Sequence, residues 1–306
     1  MTRKDAPYPD GLELIKGNEG ISYKCWSIGL YQGKSLETLK PLSCQPIIST
    51  SSIAEEPTAF VADPFYVNWS GMHLLYFELY SWKTKRGVIG VAKSDNLLRW
   101  EYSGIVLSES FHLSYPHIFV HNGDLYMLPE TIGAGCMRLY KAHHYDKFEL
   151  IHEFILGSWG DSTLIFRDNL WWLFTCPDPF TNSALELFYS TDIKGIWNRH
   201  PLSPIVSNNK NKARPAGRLL EHSGSLYRFA QDCKESYGRA IRCYEINNLN
   251  TREYSEQATT IDDTPILDGR DSEWATLGIH HIDVIRHDHR GWLCVVDGAS
   301  KKRLTT

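Results

Sequence analysis

The sequence predicts an all-β chain: a five-bladed β-propeller with four-stranded blades, the last blade closed by N-terminal strands. Three observations predict it. Short runs rich in aromatic and β-branched residues, bounded by turn residues, recur about every 8 to 12 positions, while long 3.6-residue apolar periodicity is scarce. The 306 residues include 10 Trp, 16 Tyr and 12 Phe, side chains that suit a pleated, half-buried surface. One hairpin pattern then repeats five times: a polar or proline-containing start, an apolar strand, a turn at Gly or Asn, and an aromatic-rich return.

The first copy runs from Asp63-Pro64-Phe65-Tyr66-Val67 through Gly71 into Leu74-Leu75-Tyr76-Phe77-Glu78. The second runs from Tyr115-Pro116-His117-Ile118-Phe119 through Gly123 into Leu125-Tyr126-Met127-Leu128, and the third from Asp161-Ser162-Thr163-Leu164-Ile165-Phe166 through Asn169 into Leu170-Trp171-Trp172-Leu173-Phe174. The fourth passes Ala216-Gly217-Arg218-Leu219-Leu220, Gly224 and Leu226-Tyr227-Arg228-Phe229; the fifth passes Asp283-Val284-Ile285, Gly291 and Trp292-Leu293-Cys294-Val295-Val296. Eight residues before each turn stand positions 63, 115, 161, 216 and 283, which makes the repeats 52, 46, 55 and 67 residues long. That length fits a four-stranded propeller blade.

Between hairpins there is room for two outer strands, such as Val88–Lys93 with Trp100–Tyr102, or Met137–Tyr140 with Phe148–Ile151. The fifth hairpin nearly reaches residue 306, so Tyr23–Leu30 and Pro46-Ile47-Ile48 are expected to supply its outer strands and leave no free edge. The whole of 1–306 then forms one propeller. A β-sandwich shares the alternation and the turns but does not explain five in-register copies, and the WD and kelch signatures are absent.

With 32 basic against 36 acidic residues, the chain has no bulk positive charge for nucleic acid or anionic lipid. No apolar stretch approaches the ~20 residues that span a bilayer, and Met1-Thr2-Arg3-Lys4-Asp5-Ala6-Pro7 lacks the apolar core of a secretory signal. A soluble, cytoplasmic protein is the expectation. The seven cysteines form no CxxC pair and read as free thiols.

In an antiparallel hairpin the start of the first strand lies opposite the end of the second, so strand starts and returns share one face of the ring. Asp63, Asp161 and Asp283 begin blades one, three and five. Glu78, Glu130 and Gln231, with Asp232 next, end the returns of blades one, two and four. One Asp before a strand commonly caps a turn. Three on one rim repel and raise one another's pKa, a cost that accompanies metal binding or acid–base chemistry. Blade two begins instead at Tyr115, followed by His117. Blade four begins through Arg214 and Arg218, which either grip an anionic substrate group or neutralise nearby carboxylates. Lys210 and Lys212 read as solvated loop charges. His280 and His281 precede Asp283, and because neighbouring strand residues point to opposite faces only one shares its site; His281 is the substrate-binding candidate. No cofactor is expected, and a central-channel metal is the lesser reading.

The phrases Ala62-Asp63-Pro64-Phe65, Tyr115-Pro116-His117, Asp161, Ser94-Asp95-Asn96-Leu97-Leu98-Arg99-Trp100 and Ser190-Thr191-Asp192-Ile193-Lys194-Gly195-Ile196-Trp197 resemble glycoside hydrolase family 43 and related five-bladed propellers. Over roughly residues 55 to 298, Leu128-Pro129-Glu130-Thr131, Ala213-Arg214-Pro215-Ala216-Gly217-Arg218 and Gln231-Asp232-Cys233 bring a closer likeness. They resemble the propeller N-terminal to the glycosyltransferase of plant glucosamine inositolphosphorylceramide transferase and bacterial relatives. The hydrolase resemblance implies that Asp63 is a general base and that Asp161 orients and tunes the acid. Those hydrolases carry the acid, a Glu, at the start of blade four, where this sequence has Arg214-Pro215. Glu130 is the candidate replacement, with Glu78 and Asp232 behind it.

Two functions follow. The first is an enzyme acting on a glycosidic bond of a glycan, glycoconjugate or activated sugar, hydrolase or transferase, with Asp63, Glu130 and Asp161 catalytic and Glu78, Tyr115, His117, Arg214, Arg218, Asp232, His281 and Asp283 binding substrate. The arginines lean towards an anionic one. The second is a catalytically inactive propeller that binds glycan and assists a glycosyltransferase partner.

Overall fold

The computed structural model describes residues 12–17, 20–177, 179–289 and 291–304. Each hairpin forms at its expected turn and extends into a four-stranded antiparallel blade, and the five blades adopt a propeller arrangement. Blade one comprises Thr58–Trp69, Met72–Ser81, Arg86–Ser94 and Glu101–Leu107; blade two comprises Ser114–His121, Asp124–Glu130, Cys136–His144 and Lys147–Leu156. Blade three comprises Trp159–Arg167, Leu170–Pro177, Glu186–Ser190 and Asn198–Arg199, and blade four Leu220–His222, Ser225–Asp232, Ala240–Leu249 and Tyr254–Ala258. The inner strand of blade four starts late because Pro215 lacks an N–H and Gly217 turns the chain at φ 124°. A Cβ at Gly217 would stand 1.9 Å from the Ile282 carbonyl oxygen, so only glycine fits.

Blade five joins the two ends of the chain. Ile282–Asp288 and Gly291–Arg303 form its inner half, Gly20–Gly33 is the third strand and Leu14–Gly17 the fourth. Closure by N-terminal strands holds, with one correction: Pro46-Ile47-Ile48 is not a strand of the blade. Ile48 makes a single bridge to Ile28, and Lys40–Pro41 pairs briefly with Tyr31 and Gln32.

Alternating side chains fill the gaps between blades with apolar clusters, and the gap between blades five and one holds two. Phe65, Tyr76 and Ile89 of blade one meet Ile118 and Met127 of blade two, and Leu128 and Leu139 of blade two meet Leu164 and Leu173 of blade three. Trp172 and Leu187 meet Leu226 and Ile246; Phe229 and Ile241 meet Trp292 and Val296; Ile28 and Val295 meet Val61 and Leu75. Each such residue contributes about 1.5–3 kcal/mol by leaving water. All seven cysteines are free, six of them buried. Among the described residues no helix is long and apolar enough to cross a membrane.

Candidate functional site

Blades one, two and three share a device at the start of their inner strands. One extra residue bulges between Ala62 and Phe65, between Ser114 and His117, and between Gly160 and Thr163. At each bulge one residue takes a left-handed backbone: Asp63 at φ 52°, Tyr115 at φ 45° and Asp161 at φ 48°. Such conformations are costly outside glycine, and bulges re-aim side chains. Each turned N–H here donates to a carboxylate. Asp63 donates to Asp297 Oδ2 (3.0 Å), Tyr115 to Asp63 Oδ2 (3.1 Å) and Asp161 to Glu130 Oε2 (3.1 Å).

These carboxylates surround a pocket of about 470 Å³ at one mouth of the ring, lined by Asp63, Glu78, Glu130, Arg214 and His280, with Trp26, Phe60, Phe180 and Tyr237 as aromatic walls. Asp161 sits directly behind it. Its carboxylate accepts from Arg214 Nε (2.5 Å) and Nη2 (3.1 Å) and from Gln231 Nε2 (2.6 Å). Arg214 spends its remaining donors on Pro179 O (2.8 Å), Asn182 Oδ1 (2.9 Å) and Glu130 Oε2 (3.4 Å). The guanidinium is saturated, so it neutralises carboxylates and has no donor left for an anionic substrate. Glu78 Oε1 lies 3.2 Å from His112 Nε2, and because His112 Nδ1 accepts the Gly87 N–H (2.9 Å), the ring proton is on the nitrogen that faces Glu78.

Asp297 completes the mouth. Its Oδ1 accepts the N–H groups of His280 (3.1 Å) and His281 (3.0 Å), and its Oδ2 lies 2.6 Å from His280 Nδ1, off the in-plane direction of an ideal hydrogen bond. The other ring nitrogen of His280 stands 3.7 Å from Asp63 Oδ1, and the ring stacks on Trp26 at 3.9 Å. Asp63, His280 and Asp297 offer donor atoms within 4.8 Å of one another, the spacing of a metal set. Asp297 already accepts three backbone N–H groups, however, which suits it to orienting His280 more than to ligating a cation.

Burial drives the proton affinities apart. Asp63 is pushed well above the usual carboxylate range by burial, then by Asp161, Glu78 and Asp297. Burial raises Glu130 to about 7, opposed by Arg214 and reinforced by Asp161. Asp297 goes the other way: burial would raise it, but His280 and His281 and the N–H donors hold it low. Between the ordinary Glu value and about 7 the folded chain therefore holds a Glu130 proton that the unfolded chain has released, so Glu130 favours folding at low pH and loses that contribution as pH rises through 7. We expect the stability of wild type relative to Glu130→Gln to fall by about 3 kcal/mol between pH 4 and pH 8, read by urea unfolding at each pH. A flat difference would mean that Glu130 titrates normally.

Several sequence candidates lie elsewhere. Asp283 pairs in register with Val295, as Phe65 pairs with Tyr76, because the bulge of blade five falls later, between Val284 and Arg286; it sits one layer below Asp63. There it takes Arg218 Nε (3.0 Å) and Nη2 (3.2 Å), while Arg218 also donates to Ile118 O (2.7 Å) and Tyr66 O (3.0 Å). This pair closes the channel and does not face the pocket. Tyr115 and His117 are fully buried in the same layer. The Tyr115 hydroxyl accepts the Gly217 N–H (2.8 Å), and His117 Nε2 accepts the Leu164 N–H (3.2 Å). His281 is buried against Phe65 and Tyr115, its pKa pushed down to about 3 by burial; the histidine of the pocket is His280. Asp232 points away from the pocket, since its neighbour Gln231 points in, and pairs with Arg242 (2.7 Å). Counting from the turns passes over Asp297: it stands six residues past Gly291, whereas Glu78 and Glu130 stand seven past Gly71 and Gly123.

Solved structures of similar shape include an exo-β-1,3-galactanase from Clostridium thermocellum, with TM-score 0.61 and 14% identity over 90% of this chain and 67% of that one. An α-L-arabinofuranosidase from Coprinopsis cinerea has TM-score 0.63 and 12% identity over 90% of this chain and 97% of that one. At such identities they bear on the fold alone. Among curated proteins, glucosamine inositolphosphorylceramide transferase 1 of Oryza sativa subsp. japonica is 35% identical over 298 residues, 89% of this chain and 40% of its own length. The Arabidopsis thaliana protein of the same name is 34% identical over 320 residues, 97% of this chain and 41% of its own. The chain thus spans about two fifths of the curated relatives it matches. Residues 17–299 match the family model described as glucosamine inositolphosphorylceramide transferase 1, N-terminal, and the chain belongs to that family.

Proposed function

We propose that the mouth pocket binds a glycan, glycoconjugate or activated sugar and acts on its glycosidic bond, with Glu130 as proton donor and Asp63 as base. The observation that carries this reading is Glu130: a buried carboxyl raised to about 7, facing the same walled pocket as Asp63. A group with that affinity holds a proton near neutral pH and can release it to a leaving oxygen. Asp63 acts as base only after losing its own proton, and ring nitrogens of His280 and His281 stand 3.7 and 3.8 Å from its Oδ1. Asp161, tied to Arg214, positions Glu130 through its backbone N–H. Aromatic walls at Trp26, Phe180 and Tyr237 suit the apolar faces of sugar rings. The name of the curated relatives, glucosamine inositolphosphorylceramide transferase 1, supports a carbohydrate ligand.

A second reading is a propeller that binds glycan without turnover and assists a glycosyltransferase. Arg214 favours it, because a saturated guanidinium occupies the blade-four position where the resembling hydrolases carry their acid.

A panel of neutral and acidic oligosaccharides and nucleotide sugars, followed for product and for calorimetric binding, separates the two. Under the first reading Glu130→Gln and Asp63→Asn each lose about 10²–10⁴-fold in turnover while binding stays. Binding across the panel with no turnover by wild type removes the first reading and leaves the second.

A further inference from the structure

Arg214 has every donor taken, and Arg218 has four of its five committed to Asp283, Ile118 O and Tyr66 O away from the mouth pocket, which raises the question of where an anionic part of a ligand would be held. Phe180 is 81% exposed and lines two cavities at once: the mouth pocket, and a neighbouring one of about 690 Å³. Its loop is fixed from behind, since Arg214 Nη1 holds both Pro179 O and Asn182 Oδ1. The neighbouring cavity is lined by Ser183, Asn209, Lys210, Asn211 and Lys234, among others, and by no carboxylate among the described residues. Its three chain segments are tied together: the Asn209 N–H donates to Ser183 O (3.0 Å) and the Cys233 N–H to Lys210 O (2.8 Å). Asn209 Oδ1 is taken by the Asn211 N–H (3.0 Å), which leaves the Asn209 amide NH₂ as a donor. Lys212 pairs with Glu256 (3.1 Å), but among the described residues neither Lys210 nor Lys234 is in an ion pair. Two uncommitted ammonium groups and amide donors around one cavity make a site for an anion.

We propose that this cavity is a subsite for an anionic group, a carboxylate or a phosphate, carried by the sugar ligand of the mouth pocket. Phe180 stacks on the ring between the two cavities, and Lys210 and Lys234 hold the charge. The inference rests on the carbohydrate reading of the mouth pocket. It moves the anion preference expected at Arg214 and Arg218 to Lys234 and to Lys210, the latter read from the sequence as a solvated loop charge.

The test is calorimetric titration of the full chain with four probes: a disaccharide ending in glucuronic acid, its glucose-ended counterpart, glucose 1-phosphate and inorganic phosphate, each at low and high salt. At low salt the acidic disaccharide or the sugar phosphate binds about three- to tenfold more tightly than the neutral disaccharide, the preference that two exposed lysines support, and high salt erases it. Which of the two acidic sugars shows the larger preference assigns carboxylate or phosphate. Lys210→Ala with Lys234→Ala reduces the acidic sugars to the neutral affinity and leaves the neutral disaccharide unchanged, whereas Phe180→Ala weakens all three sugars. Equal binding of acidic and neutral sugars, or a preference that survives the double lysine variant, overturns the subsite and leaves the carbohydrate reading standing. Inorganic phosphate bound in a Lys210- and Lys234-dependent way, with no sugar bound, removes the carbohydrate reading and with it the sugar-linked subsite. No binding of any probe overturns both.

Discussion

Deleting residues 1–33 is expected to abolish cooperative folding. Residues 22 to 31 are ten consecutive buried positions, and the strand they belong to pairs with Gly291–Arg303 from Ser22 opposite Arg303 to Gly33 opposite Trp292. One face packs Ile28 and Leu30 against Val61, Leu75 and Phe77 of blade one, while Tyr23, Cys25 and Trp26 pack against Ala59, Phe60 and Tyr80. Six large buried side chains (Tyr23, Cys25, Trp26, Ile28, Leu30 and Tyr31) at about 1.5–3 kcal/mol each reach or exceed the 5–15 kcal/mol of a typical domain. The deletion also bares the edge of the longest return strand in the ring. It should therefore lack a thermal transition by circular dichroism and aggregate. A circular permutant separates lost strand from lost closure. The Leu304 N–H donates to Ile21 O (3.0 Å), and Leu12 and Leu304 pack against the same apolar cluster, so a chain with a linker from residue 304 to residue 12 and new ends at the Asn122-Gly123 turn should fold. A deletion that melts within a few degrees of the full chain would show that blade five does not need its N-terminal strands.

The hairpins are legible because their signals are local: a turn glycine or asparagine flanked by apolar runs fixes both strands at once. Ring closure is legible because five inner hairpins leave one outer half-blade unaccounted for. What escapes the sequence depends on backbone geometry. Counting back from Gly291 places Asp283 level with Asp63, but the inner strand of blade five bulges after Val284 instead of at its start, which drops Asp283 one layer. Nothing in the residue types marks where a bulge falls. Arg214 is similar: its loop shows a cation beside carboxylates, and only the folded geometry reveals that Asp161, Glu130, Pro179 and Asn182 use every donor. His280 and His281 are ambiguous for a third reason, since alternation says that one faces the pocket without saying which. Asp232 needed no coordinates, because alternation with Gln231 already sends it outward.

Arg214→Ala should be the most damaging single substitution in the site, by about 3–5 kcal/mol. It removes the one cation that compensates two buried carboxyls, leaving Asp161 beside Gln231 alone and Glu130 beside Ser114 and a backbone N–H. Two acceptors on the Phe180 loop, Pro179 O and Asn182 Oδ1, also lose their donor. The sign of the pH dependence follows from the same contacts. Arg214 opposes the rise of Glu130, so without it Glu130 holds its proton to higher pH, and the loss should be smallest in acid and grow as pH rises through neutrality. Arg214→Lys should recover little, since an ammonium cannot serve five acceptors in a plane. Adding Asp161→Asn to Arg214→Ala should recover part of the loss, because the amide removes the charge left stranded. Denaturant melts of wild type, Arg214→Ala, Asp161→Asn and the double variant from about pH 5 to 8 form the cycle, with Arg214→Lys measured beside it. If Arg214→Ala stays within about 1 kcal/mol of wild type at pH 8, or Asp161→Asn adds a full second penalty, the buried cation does not hold these carboxyls together.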